Sequence, residues 1–322
     1  MHAAVKPTLE VADIDPALAG FLAQAAAMGN PPIESLPPTI ARQIYRDMAN
    51  NLGLPAPAVG TVADTTCPGP AGPLPLRIYT PLADGANTPM PVLLFLHGGG
   101  FVIGDLETHD KVCRTLCHHA GMLVVAVDYR LAPEHPFPAA TDDAEAALRW
   151  VLAHASTVGG DASRIAVAGD SAGAQLALVA ARRVQAAAVR ALGLIYPVAQ
   201  HPDLESASYR ENGDGKFLTT GVIEWFMASY VGGQANVLQH PDYAVLQSAG
   251  LETLPATWVA TMGHDPLRDE GHALALRMAS AGVAVDHQHY PSAIHACIHF
   301  TAVSPIGLQV MTDLAQWLRA RV

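Results

Sequence analysis

Short apolar runs recur along most of the chain, separated by longer stretches in which apolar residues return every three or four positions. Seven runs read as strands: Leu76–Tyr79, Val92–Leu96, Leu123–Val127, Ile165–Ala168, Ala191–Ile195, Thr257–Thr261 and Val283–Tyr290. Several are apolar without alternation, the pattern of strands covered by helices on both faces. Between them, Ala139–Ala155, Ala172–Val184 and His272–Ala281 carry helical periodicity. A last helix over Ile306–Arg321 sets Leu308, Met311, Leu314, Ala315 and Leu318 on one stripe. This alternation predicts an α/β fold with a mostly parallel central sheet and helices on both faces.

Two segments break the alternation. Residues 1–55 hold two amphipathic patterns, Pro16–Met28 and Pro38–Asn51, on either side of the proline-rich stretch Asn30–Pro38. Residues 200–235 form an insertion with a turn-rich start at Glu211–Gly215 and an aromatic helical stretch around Ile223–Tyr230. The two segments are expected to pack together over one end of the sheet.

Composition narrows the class of function. Of 322 residues, 50% are hydrophobic and 15% charged, ample for a large core. The net charge of −11 leaves no basic surface for phosphates, which argues against nucleic acid and anionic membranes as partners. No uncharged apolar run approaches the ~20 residues of a membrane span. Met1–Asn30 lacks the basic-then-apolar order of a secretion signal. Four cysteines, Cys67, Cys113, Cys117 and Cys297, are too few for a disulfide framework in so long a chain. A cytoplasmic protein is the expectation. Cys113, Cys117, His118 and His119 resemble a metal cluster, but a closed site needs four converging ligands, and buried packing explains the thiols.

The chemistry lies in two glycine-rich segments. Gly169-Asp-Ser-Ala-Gly173 follows a predicted strand and opens a predicted helix, the setting in which a G-x-S-x-G serine is a nucleophile. His97-Gly-Gly-Gly-Phe101 follows the strand Val92–Leu96, and its glycines let backbone N–H groups approach a ligand. Such donors are what the oxyanion of an acyl-transfer intermediate needs.

With Asp128–Ala139 and Asp265–Gly271, these segments occur in the order that resembles the hormone-sensitive-lipase-like branch of the α/β-hydrolases, the bacterial carboxylesterases with a GDSAG motif. The resemblance covers roughly residues 56–322. It implies an α/β-hydrolase core over 56–199 and 236–322, with 1–55 and 200–235 as a helical cap. It implies Ser171 as nucleophile, Asp265 as acid and His295 as base, in the order of the fold. It also implies Gly99, Gly100 and Ala172 as oxyanion donors. Substrate contacts are expected from Phe101, Val102, Phe217, Leu218 and Phe226. Trp225 and Tyr230 are further candidates for pocket wall or cap core.

Where the family has Gly-Phe after the base, this chain reads His295-Ala-Cys-Ile-His299, which adds a second histidine. If position 296 requires positive φ, Ala296 is strained. The resemblance makes Asp128–Ala139 a supporting loop and His97 a loop-fixing hydrogen bonder. Asp269 and Glu270 are expected to cap the helix that follows them or complement its dipole. The implied activity is a cofactor-independent serine carboxylesterase acting on small esters with short to medium acyl chains, with no metal. A homodimer is compatible with the sequence. A non-catalytic small-molecule receptor on the same fold, and amide or lactone hydrolysis by the same residues, are the alternatives.

Overall fold

The computed structural model describes residues 5–82 and 88–322. Eight strands form one sheet: β1 (Thr61–Gly69), β2 (Gly72–Thr80), β3 (Met90–Leu96), β4 (Leu123–Val127), β5 (Gly160–Asp170), β6 (Val189–Ile195), β7 (Ala256–His264) and β8 (Val285–Ile294). Their order is β1-β2-β4-β3-β5-β6-β7-β8. β2 pairs antiparallel with β1 and β4, and every pairing from β4 to β8 is parallel.

Nine helices accompany the sheet among the described residues: α1 (Pro16–Ala27), α2 (Pro38–Leu52), α3 (Asp110–Ala120), α4 (Ala139–His154), α5 (Ala172–Val184), α6 (Ala207–Asn212), α7 (Thr220–Val231), α8 (Arg268–Ser280) and α9 (Ile306–Arg319). Successive strand residues point to opposite faces. Val92, Leu94 and Leu96 pack in one core with α4, α5 and α8, while Leu93 and Phe95 pack in another with α3 and α9. Two covered faces explain the missing alternation in β3 and β4.

The expected strands lie within β2 to β8, except that β8 starts two residues later than Val283. β1 escaped notice because it is an edge strand with only Cys67 buried, a pattern without an apolar face. α3 and α6 were likewise not among the expected helices. The four cysteines are buried and unpaired. No helix among the described residues is long and apolar enough to cross a membrane.

The extended segment before α1 runs along β8, the other edge of the sheet. Asp15 N–H donates to Ser292 O at 3.0 Å. His272, His289 and His264 donate ring N–H groups to the carbonyls of Lys6, Glu10 and Ala12 at 2.7, 3.0 and 2.9 Å. Covering the edge in this way blunts a template for unwanted strand pairing.

Candidate active site

β5 ends at Asp170 and α5 begins at Ala172, so Ser171 carries the whole reversal, at φ 53° and ψ −119°. A non-glycine residue there stores strain of ~1–3 kcal/mol, which only a rigid surrounding sustains. Ser171 N–H donates to Ile195 O at 2.8 Å, fixing the turn to β6. The flanking glycines are a packing requirement. A Cβ on Gly173 would lie 2.0 Å from Leu96 O, and one on Gly169 would lie 2.3 Å from Gly173 O.

Asp265 directly follows β7, and His295 directly follows β8, so the ends of β5, β7 and β8 bring Ser171, Asp265 and His295 together across the intervening β6. His295 Nε2 lies 3.0 Å from Ser171 Oγ, and His295 Nδ1 lies 2.7 Å from Asp265 Oδ2. Asp265 Oδ1 accepts the Leu267 N–H at 2.9 Å. The carboxylate is fully buried and the other two side chains nearly so. With Nδ1–H donated to the carboxylate, Nε2 is left to accept the serine proton.

The glycine run after β3 turns the chain back under this group. Among the described residues, neither the Gly99 nor the Gly100 N–H donates to a protein acceptor. Ala172 is the first residue of α5, where backbone N–H groups have no partner within the helix. Gly100 sits at φ 59°, and a Cβ there would lie 2.1 Å from the Phe226 ring. Phe101 and Val102 do not line the pocket, contrary to expectation. Phe101, also at positive φ, turns its ring into the core, stacked on Tyr230 at 3.8 Å. Val102 is buried, and its carbonyl accepts Arg42 Nε–H at 2.8 Å. Ile103 takes their place in the wall.

Asp170, which the sequence marked only as a filler of the pentapeptide, holds the two glycine-rich segments together. Its Oδ1 accepts Gly98 N–H at 2.8 Å and lies 3.1 Å from His109 Nε2, while its Oδ2 accepts the Tyr196 hydroxyl at 3.3 Å. Burial opposes its ionisation, but His109, His299 and the Gly98 N–H together outweigh that and bring the carboxyl down to about 2. His97 bonds Gly98 O through Nδ1 at 2.9 Å and stacks on Tyr129, whose hydroxyl donates to His97 O. Burial pushes His97 down to about 4, so it is a neutral brace of the loop. Among the described residues, His109, Asp170 and His299 are the one trio whose side-chain donors lie close enough for a metal, within 4.8 Å of one another. Gly98 and Tyr45 already engage Asp170 and His299.

The cavity over Ser171 and His295 has a volume of about 200 Å³ and a predominantly apolar wall. Phe217, Leu218 and Phe226 line it as expected, whereas Trp225 and Tyr230 do not. Ile33, Ile44, Tyr45 and Met48 close it from the N-terminal segment, and Val198, Gln200 and Tyr209 from the segment after β6. The α2 wall is pinned from below. Arg42 pairs both Glu134 oxygens, at 2.9 and 2.6 Å, and donates to Ala132 O, which makes Asp128–Ala139 a brace for the pocket.

Asp269 does not cap α8, which starts one residue earlier. Its Oδ2 accepts the Ser208 N–H at 2.8 Å in the first turn of α6, so it ties α6 to α8.

Glu270, expected with Asp269 only to cap or complement the helix dipole, is instead a buried acid. Its Oε1 accepts Ala199 N–H at 2.8 Å, holding the stretch that presents Val198 and Gln200 to the pocket. Burial, with the nearby charge of Asp265, raises its carboxyl to about 8. A folded value above the unfolded ~4.3 gives stability that is full below ~4.3 and lost as pH rises through the folded value. Glu270→Gln keeps the acceptor and removes the ionisation. The melting temperature of the variant relative to wild type is therefore expected to rise by several degrees between about pH 5 and pH 9. A difference independent of pH refutes this assignment.

Ala296 adopts φ 60° and ψ 18° beside the pocket. Ala296→Gly should be neutral or stabilising by up to ~1 kcal/mol, because relief of the left-handed strain competes with glycine's greater unfolded entropy. Chemical denaturation measures it, and a loss above ~1 kcal/mol rules the strain out.

Comparison with known proteins bears on the fold and the family. A family profile described as alpha/beta hydrolase fold matches residues 93–299. The chain is 40% identical over 256 residues to Esterase LipI of Mycobacterium tuberculosis, covering 77% of this chain and 78% of that one. It is 39% identical over 226 residues to an ethyl acetate hydrolase of Pseudomonas putida, covering 69% and 70%. A solved α/β-hydrolase from the metagenome of Lake Arreo superposes with a TM-score of 0.89 at 37% identity, covering 95% of this chain and 98% of that one.

Proposed function

The chain belongs to the α/β-hydrolase family, in its hormone-sensitive-lipase-like branch, and is a carboxylic ester hydrolase; we propose that it cleaves small esters by transient acylation of Ser171. The observation that carries this is the relay Ser171–His295–Asp265, at 3.0 and 2.7 Å, opening on an apolar pocket edged by uncommitted backbone N–H groups.

In the first half-reaction Ser171 Oγ attacks the ester carbonyl as its proton passes to His295 Nε2. The negative charge that develops on the carbonyl oxygen is received by the N–H groups of Gly99, Gly100 and Ala172. Each such donor is worth ~10²–10³ in rate. Asp265 holds the imidazole in position and balances its charge. Collapse breaks the C–O bond, and His295 returns the proton to the departing alcohol. Water then repeats the sequence on the acyl-enzyme and releases the carboxylic acid.

Side chains from residues 1–55 and 200–235 line the pocket, which supports our assignment of these two segments as a cap over residues 56–199 and 236–322. A cavity of about 200 Å³ suits short to medium chains. Similarity to an ethyl acetate hydrolase supports small substrates. With purified protein and a p-nitrophenyl ester series, kcat/KM is expected to peak between acetyl and hexanoyl. No jump is expected when substrate passes its solubility limit. An optimum at lauroyl, or a preference for emulsified triglyceride, would make the protein a lipase instead.

A further inference from the structure

A second cavity, of about 190 Å³, lies behind the first. It sits among the end of α2, α3, the residues after β8 and the start of α9, and its apolar wall includes Ala49, Leu54, Val112, Ile298, Leu308 and Met311. Its polar groups are partly engaged already. Lys111 Nζ donates to Asn50 O and Gly53 O at 2.6 and 2.8 Å, and Thr115 Oγ1 donates to Lys111 O. What remains suits hydrocarbon.

The two cavities meet at a thin wall. Tyr45 lines the front cavity and His299 the back one. The Tyr45 hydroxyl and His299 Nε2 are 3.0 Å apart, and the rings meet edge to face at 5.5 Å. On α2, Met48 lines the front cavity and Ala49, the next residue, lines the back. On the far side His109 stands edge-on to His299 at 4.6 Å and reaches Asp170, which again lines the front. Both wall side chains are buried. Burial pushes His299 down to about 3, so the pair is a neutral hydrogen bond rather than a charged one.

We infer that the packed rings of Tyr45 and His299 are the stop that limits chain length at this site, and that the cavity behind them is a closed-off extension of the ester-binding pocket for a longer unbranched hydrocarbon chain. This rests on the esterase reading above and adds the element that sets its specificity. Removing either ring joins two preformed cavities instead of digging a new one. The gain therefore falls on long substrates. Tyr45→Phe removes the hydroxyl but keeps the ring, and so keeps the stop.

The experiment compares kcat/KM for p-nitrophenyl decanoate and butyrate. Tyr45→Ala and His299→Ala should each raise the decanoate-to-butyrate ratio by about 10-fold or more, the scale on which extra methylenes are discriminated in an apolar pocket. Tyr45→Phe should leave the ratio near that of wild type. Adding Ala49→Leu to Tyr45→Ala refills the back cavity and should reverse the gain, which a merely structural role for Tyr45 does not predict. If an alanine variant fails to fold, Tyr45→Val decides by the same ratio. An unchanged ratio in folded variants, or a gain that Ala49→Leu does not reverse, overturns the stop. Turnover surviving in Ser171→Ala would instead strike the esterase reading, so the two failures are distinguishable.

Discussion

Ser171→Ala is expected to lose ~10⁴–10⁶ in kcat for ester hydrolysis while keeping its fold and its affinity for substrate. The size of the loss follows from the geometry. Among the described residues His295 Nε2 has one side-chain partner in the pocket, Ser171 Oγ at 3.0 Å, and without that oxygen no acyl-enzyme forms. What survives is the backbone N–H cradle and substrate binding, which in other triads leave ~10³–10⁴ over water. The fold should hold because alanine keeps the backbone bond from residue 171 to Ile195 O. Alanine also keeps a Cβ at φ 53°, so no strain is relieved and no stabilisation is expected from that source. A phosphonate ester should modify wild type at the peptide containing Ser171 and leave the variant unmodified, as read by mass spectrometry. Ordinary turnover in the folded variant would place the nucleophile elsewhere.

Much of this arrangement is legible in the sequence because it is local. The run Val92–Leu96, the glycines at 98–100 and the pentapeptide 169–173 each combine a strand end with the turn chemistry that follows, and short-range rules govern both. Ala296 was legible only through the family resemblance, which has glycine at that position. β1 was not, because an edge strand with one buried side chain carries no periodic signal. Phe101 was misplaced because successive positive φ values from Gly99 to Phe101 decide which way its ring points, and a sequence pattern does not give a ring direction.

The least legible features join residues far apart in the chain. Tyr45 and His299 meet across 254 positions, and Arg42 reaches Glu134 across 92. Each residue lies where local rules give a sufficient bland account, on an amphipathic helix or beyond a motif. Asp170 is intermediate. Its place in the pentapeptide is visible, but its bond to Gly98, 72 positions away, exists only once β3 and β5 lie side by side. On the proposed mechanism the parallel sheet contributes to catalysis, since the register between β3 and β5 sets the Gly98–Gly100 loop beside Ser171.

The register after β7 settles which carboxylate partners His295, and a pair of asparagine variants tests it. Asp265 Oδ2 meets His295 Nδ1 at 2.7 Å while its Oδ1 accepts the Leu267 N–H at 2.9 Å. In Asp265→Asn the amide oxygen is the atom able to keep the Leu267 bond, which turns the NH₂ toward His295. An NH₂ facing Nδ1 requires that nitrogen to be an acceptor, so the ring proton moves to Nε2. The atom that should receive the serine proton then already holds one. The expected loss is ~10⁴ in kcat with the fold retained. Asp269 has no such role. Its carboxylate accepts from Ser208 N–H and Arg268 Nε–H, both at 2.8 Å, and an asparagine keeps one acceptor oxygen. Asp269→Asn should cost ~1 kcal/mol of stability by loosening α6. Because α6 carries Tyr209 into the pocket wall, KM should change more than kcat. Steady-state kinetics and melting curves on both variants decide the matter. An active Asp265→Asn beside an inactive, folded Asp269→Asn would mean that the acid is Asp269 and that the chain after β7 runs in a different register.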